Sequence, residues 1–548
     1  MSPQDFIAKW GAPDGVPGPA FALNEEQGAQ SHFLDLCELL DVPKPGSAKD
    51  YLFEEKGAVI GGRTGYADVF MRGVFVWENK APGGNLDAAF RQLLAYSFAM
   101  SSPPILVVSD RLTIRIHTQF TGHPTQTHLI RLEELDQPDK LALLRRIWNE
   151  PESFKPRETS RDITEAAARN FADLAKSLQS RPTGSVEAAQ DSRSRAKQVA
   201  HFLTQCLFCF FAEDVGLLPG RMFERLVKNK QISPERLTQG LTELFATMGK
   251  GGLYGVDDIP RFNGNLFMTI DVPQLSTVDV AELRKAASLN WSAIDVSIIG
   301  TLFERGLDPD KRSQLGAHYT DTATIDRLID PVLRRPLLEK WELIAQEMHR
   351  LMARSKLRRR AAYTAGRRYF KATAGDASFQ KTEAIFHDWL ESLKNYRVLD
   401  PACGSGNFLY LGLKCLKDIE LKSHLEAAAL GLDRQNDLVT GPHNVLGIEL
   451  NEYAAELARV TVWIGELQWR TAHGYEFKTN PVLESLDHIE CRDALLSFAA
   501  PGVEATQESG VRSEFMRDAS PKAATVVRNS ALTPVSGAAG AMQAIEAT

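Results

Sequence analysis

Two stretches carry side chains whose types and spacing could do chemistry. The first is Asp68-Val-Phe-Met-Arg-Gly-Val-Phe-Val-Trp-Glu78-Asn79-Lys80. Strand alternation puts Val74, Val76, Glu78 and Lys80 on one face. Two carboxylates and a lysine converge if Asp68 ends the preceding strand beside Glu78. Phosphodiester hydrolysis needs a hard cation, held by oxygen ligands, to polarise the phosphate and acidify water. Asp68 and Glu78 would hold Mg²⁺, and Lys80 would orient the attacking water and offset developing charge. A surface hairpin with solvated charges is the alternative, because Glu-x-Lys alone is common. Glu25 or Glu26 could add a further metal-site acid.

The second stretch is Val398-Leu-Asp400-Pro-Ala402-Cys-Gly404-Ser-Gly406-Asn-Phe408-Leu409. It reads as a short apolar strand, a small-residue turn, and an amphipathic helix with Leu409, Leu413, Leu416 and Ile419 at helical spacing. Asp400 stands at the carboxyl end of the strand, and Gly404 and Gly406 let a ligand approach the backbone. An open α/β sheet holds a nucleotide-like cofactor in this way. The hydride-cofactor fingerprint needs a third glycine where Leu409 stands, so that class is disfavoured. Further on, Asn444-Val-Leu-Gly-Ile-Glu449 reads as the next strand, its acid placed to accept hydrogen bonds from ribose hydroxyls. The gap from the glycine turn to Glu449 is long, which implies an inserted loop around residues 422–443. A helix from Glu452 to Trp469 follows, then a short strand before Asp493, which is placed to receive the cofactor's adenine amino group.

The elements around these stretches divide the chain. A helix opening at Asn24 carries Phe33, Leu36, Cys37 and Leu40 on one face, and short strands follow to about residue 116. Residues 161–182 and 194–213 read as helices, and residues 156–300 as a helical spacer. Cys206 and Cys209 fall on an apolar helix face with no second ligand pair, so they are expected in the core rather than at a metal. Gly249 to Gly255 is expected to be a turn, since no lysine follows it as a phosphate loop requires. Arg350 to Lys371 holds Arg358, Arg359 and Arg360 and no acidic residue. It is either a solvated helix or a patch that tracks DNA phosphates by releasing counterions.

Taken together, these motifs resemble a known family over roughly residues 1–498. The Asp400 to Phe408 string is similar to the S-adenosylmethionine loop of adenine-specific DNA methyltransferases fused to restriction nucleases. Asp68, Glu78-Asn79-Lys80 and Gln92-Leu-Leu-Ala-Tyr96 resemble the PD-(D/E)xK nuclease fold in its restriction-enzyme form. The whole looks like an MmeI-like (type IIL/IIG) fused endonuclease and methyltransferase. The resemblance implies a multidomain α/β chain: a nuclease-like domain at 1–155, a spacer at 156–300, and at 301–498 part of a doubly wound methyltransferase sheet. It implies S-adenosylmethionine and Mg²⁺ as cofactors and double-stranded DNA as partner. Tyr319 and Thr320 match the family's first cofactor segment, where an aromatic stacks on the methionine end, whereas His318 reads as structural.

One part of the family pattern is missing. An Asn-Pro-Pro-aromatic tetrapeptide follows the family's fourth strand, orienting the target amine and stacking on a flipped base. No Asn-Pro-Pro or Asp-Pro-Pro occurs in the 548 residues, and Asn480-Pro481-Val482 lies before Asp493 and lacks the aromatic. The expectation is a chain defective in methyl transfer, truncated, frame-shifted or completed by another chain, with the Val398 strand left as an uncovered edge. Residues 499–548, rich in Ala, Gly, Ser and Thr, are expected to be disordered. A nuclease without methylation, or a non-catalytic DNA- or partner-binding remnant, stay open as alternatives. Net charge −7 excludes a globally basic nucleic-acid coat but not local patches. The six cysteines have no framework spacing, and no stretch is long and apolar enough for a bilayer or resembles a signal peptide. A cytoplasmic protein engaged in phage defence, with no membrane partner, is expected.

Overall fold

The computed structural model describes all residues except 13–16, 22, 24, 61–62, 98–99, 101, 180–187, 263–265, 297–299, 301–321, 365–376, 433–436, 478–484, 496–523 and 527–548. Two compact units divide the chain. One joins Met1–Ile163 with Lys422–Asp437 and Gln468–Phe477; the other comprises Thr164–Leu421, Leu438–Leu467 and Lys478–Thr548.

The first unit is built on a six-stranded sheet in sequential order: β1 (Tyr51–Ile60), β2 (Arg63–Met71), β3 (Phe75–Asn79), β4 (Ile105–Ser109), β5 (Thr113–Thr118) and β6 (Thr127–Arg131). Neighbours are antiparallel except β3 and β4, which are parallel. Parallel strands need a crossover, and helix α3 (Leu86–Ser97) supplies it. Alternation gives the sheet two apolar faces. Phe75, Trp77, Ile105 and Val107 enter a core with Phe33, Leu36, Cys37 and Leu40 of α2 (Glu25–Leu40). Val76, Leu106 and Val108 face Leu86, Ala89 and Leu93 of α3. Phe33 meets Trp77 edge-on with ring centroids 5.1 Å apart, a favoured aromatic geometry. Helix α1 (Pro3–Trp10) opens on a Ser2–Asp5 capping box, and α4 (Pro138–Asn149) and the start of α5 (Ser160–Gln179) complete this part of the chain.

The second unit contains α6 (Ala188–Asp214), α7 (Met222–Lys228), α8 (Pro234–Lys250) and α9 (Thr277–Ala286). Cys206 and Cys209 are fully buried on α6, as their apolar neighbours imply. The Gly249–Gly255 segment is more ordered than a bare turn: β7 (Gly252–Tyr254) and β8 (Asp257–Ile259) form a hairpin. After α10 (Thr322–Ile329), α11 (Arg335–Thr364) and α12 (Ala377–Lys394), a four-stranded sheet appears in the order β11-β10-β9-β12. These strands are β9 (Arg397–Asp400), β10 (Val445–Glu449), β11 (Ile489–Cys491) and β12 (Ala524–Val526), and every pairing is parallel. Helix α13 (Asn407–Ala429) leads away from β9, and α14 (Glu452–Ala472) from β10. Asn444 fixes β10 to the start of β9, its amide nitrogen donating to the carbonyls of Leu393 (2.9 Å) and Tyr396 (2.7 Å).

Two expectations are corrected here. The outer edge of β9 is not uncovered, and the tail is not wholly without structure, because Ala524, Thr525 and Val526 pair with Arg397, Val398 and Leu399. An open strand edge presents unpaired amides and carbonyls, and a short run in the tail pairs with them. The insertion before β10 is also partly helical: α13 continues through residues 422–429, with Lys422 paired to Glu426 one turn on. The rest of the insertion is tied down at its end by Glu420, whose carboxylate accepts from the amides of Val439 (2.7 Å) and Thr440 (2.9 Å). Lys417 lies beside it, fully buried, 2.8 Å from Glu466.

Candidate functional site

The acidic face of β3 assembles as alternation requires. The register Val69↔Trp77 makes Asp68 the next residue opposite Glu78, and directly opposed residues project to one face. Asp68 therefore lies inside β2, which runs Arg63–Met71, and not at a strand end as anticipated. The reason is that β1 and β2 form a longer ribbon than their short apolar segments suggest. Asp68 Oδ2 accepts a hydrogen bond from the Asn79 amide at 2.6 Å, drawing it toward the end of β3. Lys80 Nζ is 2.8 Å from Glu78 Oε1, and Gln92 of α3 donates to the same oxygen at 3.2 Å. Glu78 is only 4% exposed, so its charge is largely removed from water and must be offset by such partners. The strand is held in place by the Lys80 amide, which donates to Ser109 O of the parallel neighbour at 2.6 Å.

Among the described residues, no group of three or more His, Cys, Asp or Glu stands together as a metal cage. Mg²⁺ does not need one, since it keeps several waters and is held by one or two carboxylates plus substrate phosphate. Two hard carboxylates with a lysine beside them fit that ion. The side chains of Glu25 and Glu26 lie outside the described residues, as does that of Tyr96.

The second constellation sits at the carboxyl ends of the parallel strands. Asp400 ends β9, Glu449 ends β10, and Asp493 follows β11 by two residues. Asp400 is fully buried; its Oδ1 accepts from the Ala402 amide at 3.1 Å, and its Oδ2 meets no hydrogen-bond partner among the described residues. Burial, and to a smaller degree the Glu449 charge, push its carboxyl up to about 7. Glu449 clasps the turn: it accepts from the Gly404 amide and from the Asn451 amide, both at 2.8 Å. The Cys403 amide donates to Ile448 O at 3.0 Å, so the turn is laced to β10.

The two glycines of this turn do different work. Gly404 has φ +52°, and a Cβ there would meet no atom of the described residues within 4 Å. Gly406 has φ +85°, and a Cβ there would lie 2.8 Å from Ala458 Cα on α14. Its missing side chain therefore serves helix packing, a use beside the ligand approach expected of it. Phe408 is buried in the first turn of α13, and Asp493 Oδ1 accepts from the Leu495 amide at 2.8 Å. An orphaned buried carboxylate oxygen beside an open glycine turn, with acids on the next two strands, fits a ligand that brings hydrogen-bond donors.

Tyr319 and Thr320 lie outside the described residues, and so do the side chains of Arg358, Arg359 and Arg360, whose backbone is part of α11. Sequence reasoning missed Ala458, whose closeness to Gly406 gives α14 a part in shaping the turn. The small residues Ala454, Ala455 and Ala458, at helical spacing in α14, are the signal that could have found it.

A glycine turn with acids at the ends of adjacent parallel strands is the cofactor-binding arrangement of an open α/β sheet. Three family models match the chain in order: MmeI, N-terminal domain, at residues 1–181; MmeI, helicase spacer domain, at 197–267; and MmeI, DNA-methyltransferase domain, at 376–503. The chain belongs to the MmeI-like family. It is similar to DNA methyltransferase A of Bacillus subtilis (strain 168), 28% identical over 316 residues, which cover 54% of this chain and 31% of the relative. A putative type II restriction enzyme and methyltransferase of Methanocaldococcus jannaschii is 22% identical over 309 residues, covering 48% of this chain and 24% of the relative. Among solved structures, the type IIL restriction-modification enzyme MmeI in complex with DNA aligns at 24% identity and TM-score 0.44, over 60% of this chain and 40% of that one. The DrdV–DNA complex aligns at 16% identity and TM-score 0.26, over 86% of this chain and 39% of that one. The chain thus spans under a third of the length of these curated relatives.

Proposed function

We propose that this chain binds S-adenosylmethionine in the parallel-sheet half and cuts double-stranded DNA with Mg²⁺ through its amino-terminal sheet. By lineage it is an adenine-specific methyltransferase of a fused restriction–modification system. The observation that carries the cofactor reading is that Asp400 and Glu449 end adjacent parallel strands, Asp493 follows the third, and Glu449 holds the amide of Gly404. Glu449 would receive ribose hydroxyls, Asp493 the adenine amino group, and the buried Asp400 oxygen a donor from the methionine end. Ala402, Gly404 and Gly406 form the backbone of the turn, Phe408 backs it, and Tyr319 and Thr320 would close it by family likeness. The bound cofactor supplies an activated methyl group.

The nuclease reading rests on Asp68, Glu78 and Lys80 sharing one face of β2 and β3. Asp68 and Glu78 would hold Mg²⁺, which polarises the phosphate and lowers the pKa of bound water. Lys80 would offset the charge that develops on the phosphate oxygens. Arg358, Arg359 and Arg360, on a helix without acidic residues after Arg350, would follow the DNA backbone. Methyl transfer by residues 1–548 alone is not expected, since no Asn-Pro-Pro-aromatic motif occurs among them. The motif would have to come from outside these residues.

The test is cleavage of plasmid DNA by purified protein with and without Mg²⁺. Wild type is expected to cut only with the metal, and Asp68→Ala or Lys80→Ala to leave the plasmid intact. Equal cutting by wild type and Lys80→Ala would sink the nuclease assignment.

A further inference from the structure

Helix α14 touches the cofactor turn from two directions. Its first residues follow Glu449 directly, with the Asn451 amide held by Glu449 Oε1, and Ala458 fills the space left by Gly406. Arg459, next along, donates to Ile489 O of β11 at 2.6 Å. α14 is therefore tied to the turn after β9, to the end of β10 and to the first residue of β11.

The opposite side of the same helix is gripped by α6. Glu452 pairs with Lys197 and Glu456 with His201, so two pairs one turn apart on each helix clamp them together. His201 lies in the segment that matches the family's spacer domain. Its ring sits between two acceptors: Nδ1 meets the Glu456 carboxylate, and Nε2 meets the Thr269 carbonyl at 2.8 Å. The Gln205 amide nitrogen lies 3.0 Å from Nε2, but the carbonyls of Leu266 (2.8 Å) and Thr269 (3.0 Å) take its two hydrogens. Only an imidazolium, a donor at both nitrogens, can itself donate to both oxygens. A neutral ring turns one lone pair toward an oxygen.

We propose that His201 and Glu456 are positioning residues for cofactor binding: the protonated histidine holds α14 against the glycine turn, and loss of its proton releases that hold. The spacer is then part of the cofactor site rather than a passive connector. This inference rests on the S-adenosylmethionine reading of the site. The charged groups around His201 agree with the sign. Burial alone would lower its pKa, but the hydrogen bond and charge of Glu456, with the Thr269 carbonyl and the Asp271 charge, raise it above the ordinary histidine value. Asp271 is engaged by Gln198, and Lys197 by Glu452, so no neighbouring cation faces the ring at close range among the described residues. The clamp is complete at low pH and lost as pH rises through the folded value.

The test is calorimetric titration of the full chain with S-adenosylmethionine from pH 6 to 9, for wild type, His201→Gln, Glu456→Gln and the double variant. Each single variant is expected to bind about tenfold more weakly at pH 6, the scale of one charge-assisted hydrogen bond. The ratio of variant to wild-type Kd should shrink toward one by pH 9, and the double variant should be no worse than either single one. Taking the ratio cancels other titrating groups, Asp400 included. A ratio constant across pH marks a merely structural pair and overturns the proposal, as does equal affinity at pH 6. Where one single variant fails to fold, the other gives the same ratio. Absence of binding by wild type at every pH overturns the cofactor reading itself, and this inference with it.

Discussion

Alanine placed in turn at Gly404 and at Gly406 separates ligand approach from helix packing within one loop. At Gly406 the new Cβ lies 2.8 Å from Ala458 Cα and 3.0 Å from its carbonyl oxygen, so backbone must move. A left-handed backbone angle costs a non-glycine residue about 1–2 kcal/mol, and overpacking a tight site costs about 1–3 kcal/mol more. Gly406→Ala should therefore lower stability by about 2–5 kcal/mol. At Gly404 the angle of +52° carries the same backbone cost, but the Cβ meets no atom of the described residues within 4 Å. Gly404→Ala should lose only about 1–2 kcal/mol of stability while losing about tenfold or more in S-adenosylmethionine affinity, since its methyl group occupies the open side of the turn. Denaturant unfolding followed by circular dichroism gives the first quantity, and calorimetry with the cofactor gives the second. A Gly404→Ala protein that binds as wild type does, or that unfolds as easily as Gly406→Ala, refutes the division of labour.

Other consequences are open to measurement. Asp400 has its carboxyl pushed up to about 7 against an ordinary 3.8, so the cofactor-free protein loses stability as pH rises from about 4 to 7. Asp400→Asn should remove that loss, worth on the order of 4 kcal/mol above pH 7, while weakening cofactor binding; thermal melts against pH read the first effect. His32 works in the opposite sense, its pKa driven down to about 3 by burial and by the Arg111 charge, so the neutral ring contributes stability above its unfolded value that declines as pH falls. Between pH 6.5 and 3 the slope from this group should approach about 1.4 kcal/mol per pH unit, and a His32→Phe protein should melt with a flatter acid limb. Replacing Arg358, Arg359 and Arg360 with alanine should reduce the salt slope of DNA binding by about 0.9 for each phosphate no longer neutralised, and an unchanged slope would remove that helix from the interface.

The parts of the site that could be read in the sequence are those that local pattern encodes. Alternation alone puts Glu78 and Lys80 on one face, and the apolar run before Asp400 with the glycines after it defines strand, turn and helix. The acids at Glu449 and Asp493 follow from the same logic, one ending a short strand and the other just beyond one. What escaped depends on partners distant in sequence. Asp68 lies inside its strand because β1 extends β2 into a longer ribbon. Ala524–Val526 covers the edge of β9 although its composition is that of a tail, since a three-residue segment needs only an open edge to pair. His201 and Glu456 are 255 residues apart, and no periodicity links them. The second use of Gly406 is visible only with Ala458 against it.

The central claim, that Asp400, Gly404, Glu449 and Asp493 make one cofactor pocket, is tested most directly by calorimetric titration of the full chain with S-adenosylmethionine. One molecule should bind per chain, with Asp493→Ala and Glu449→Ala each weakening it by about tenfold or more. No heat from wild type, or full affinity in both variants, would contradict the account.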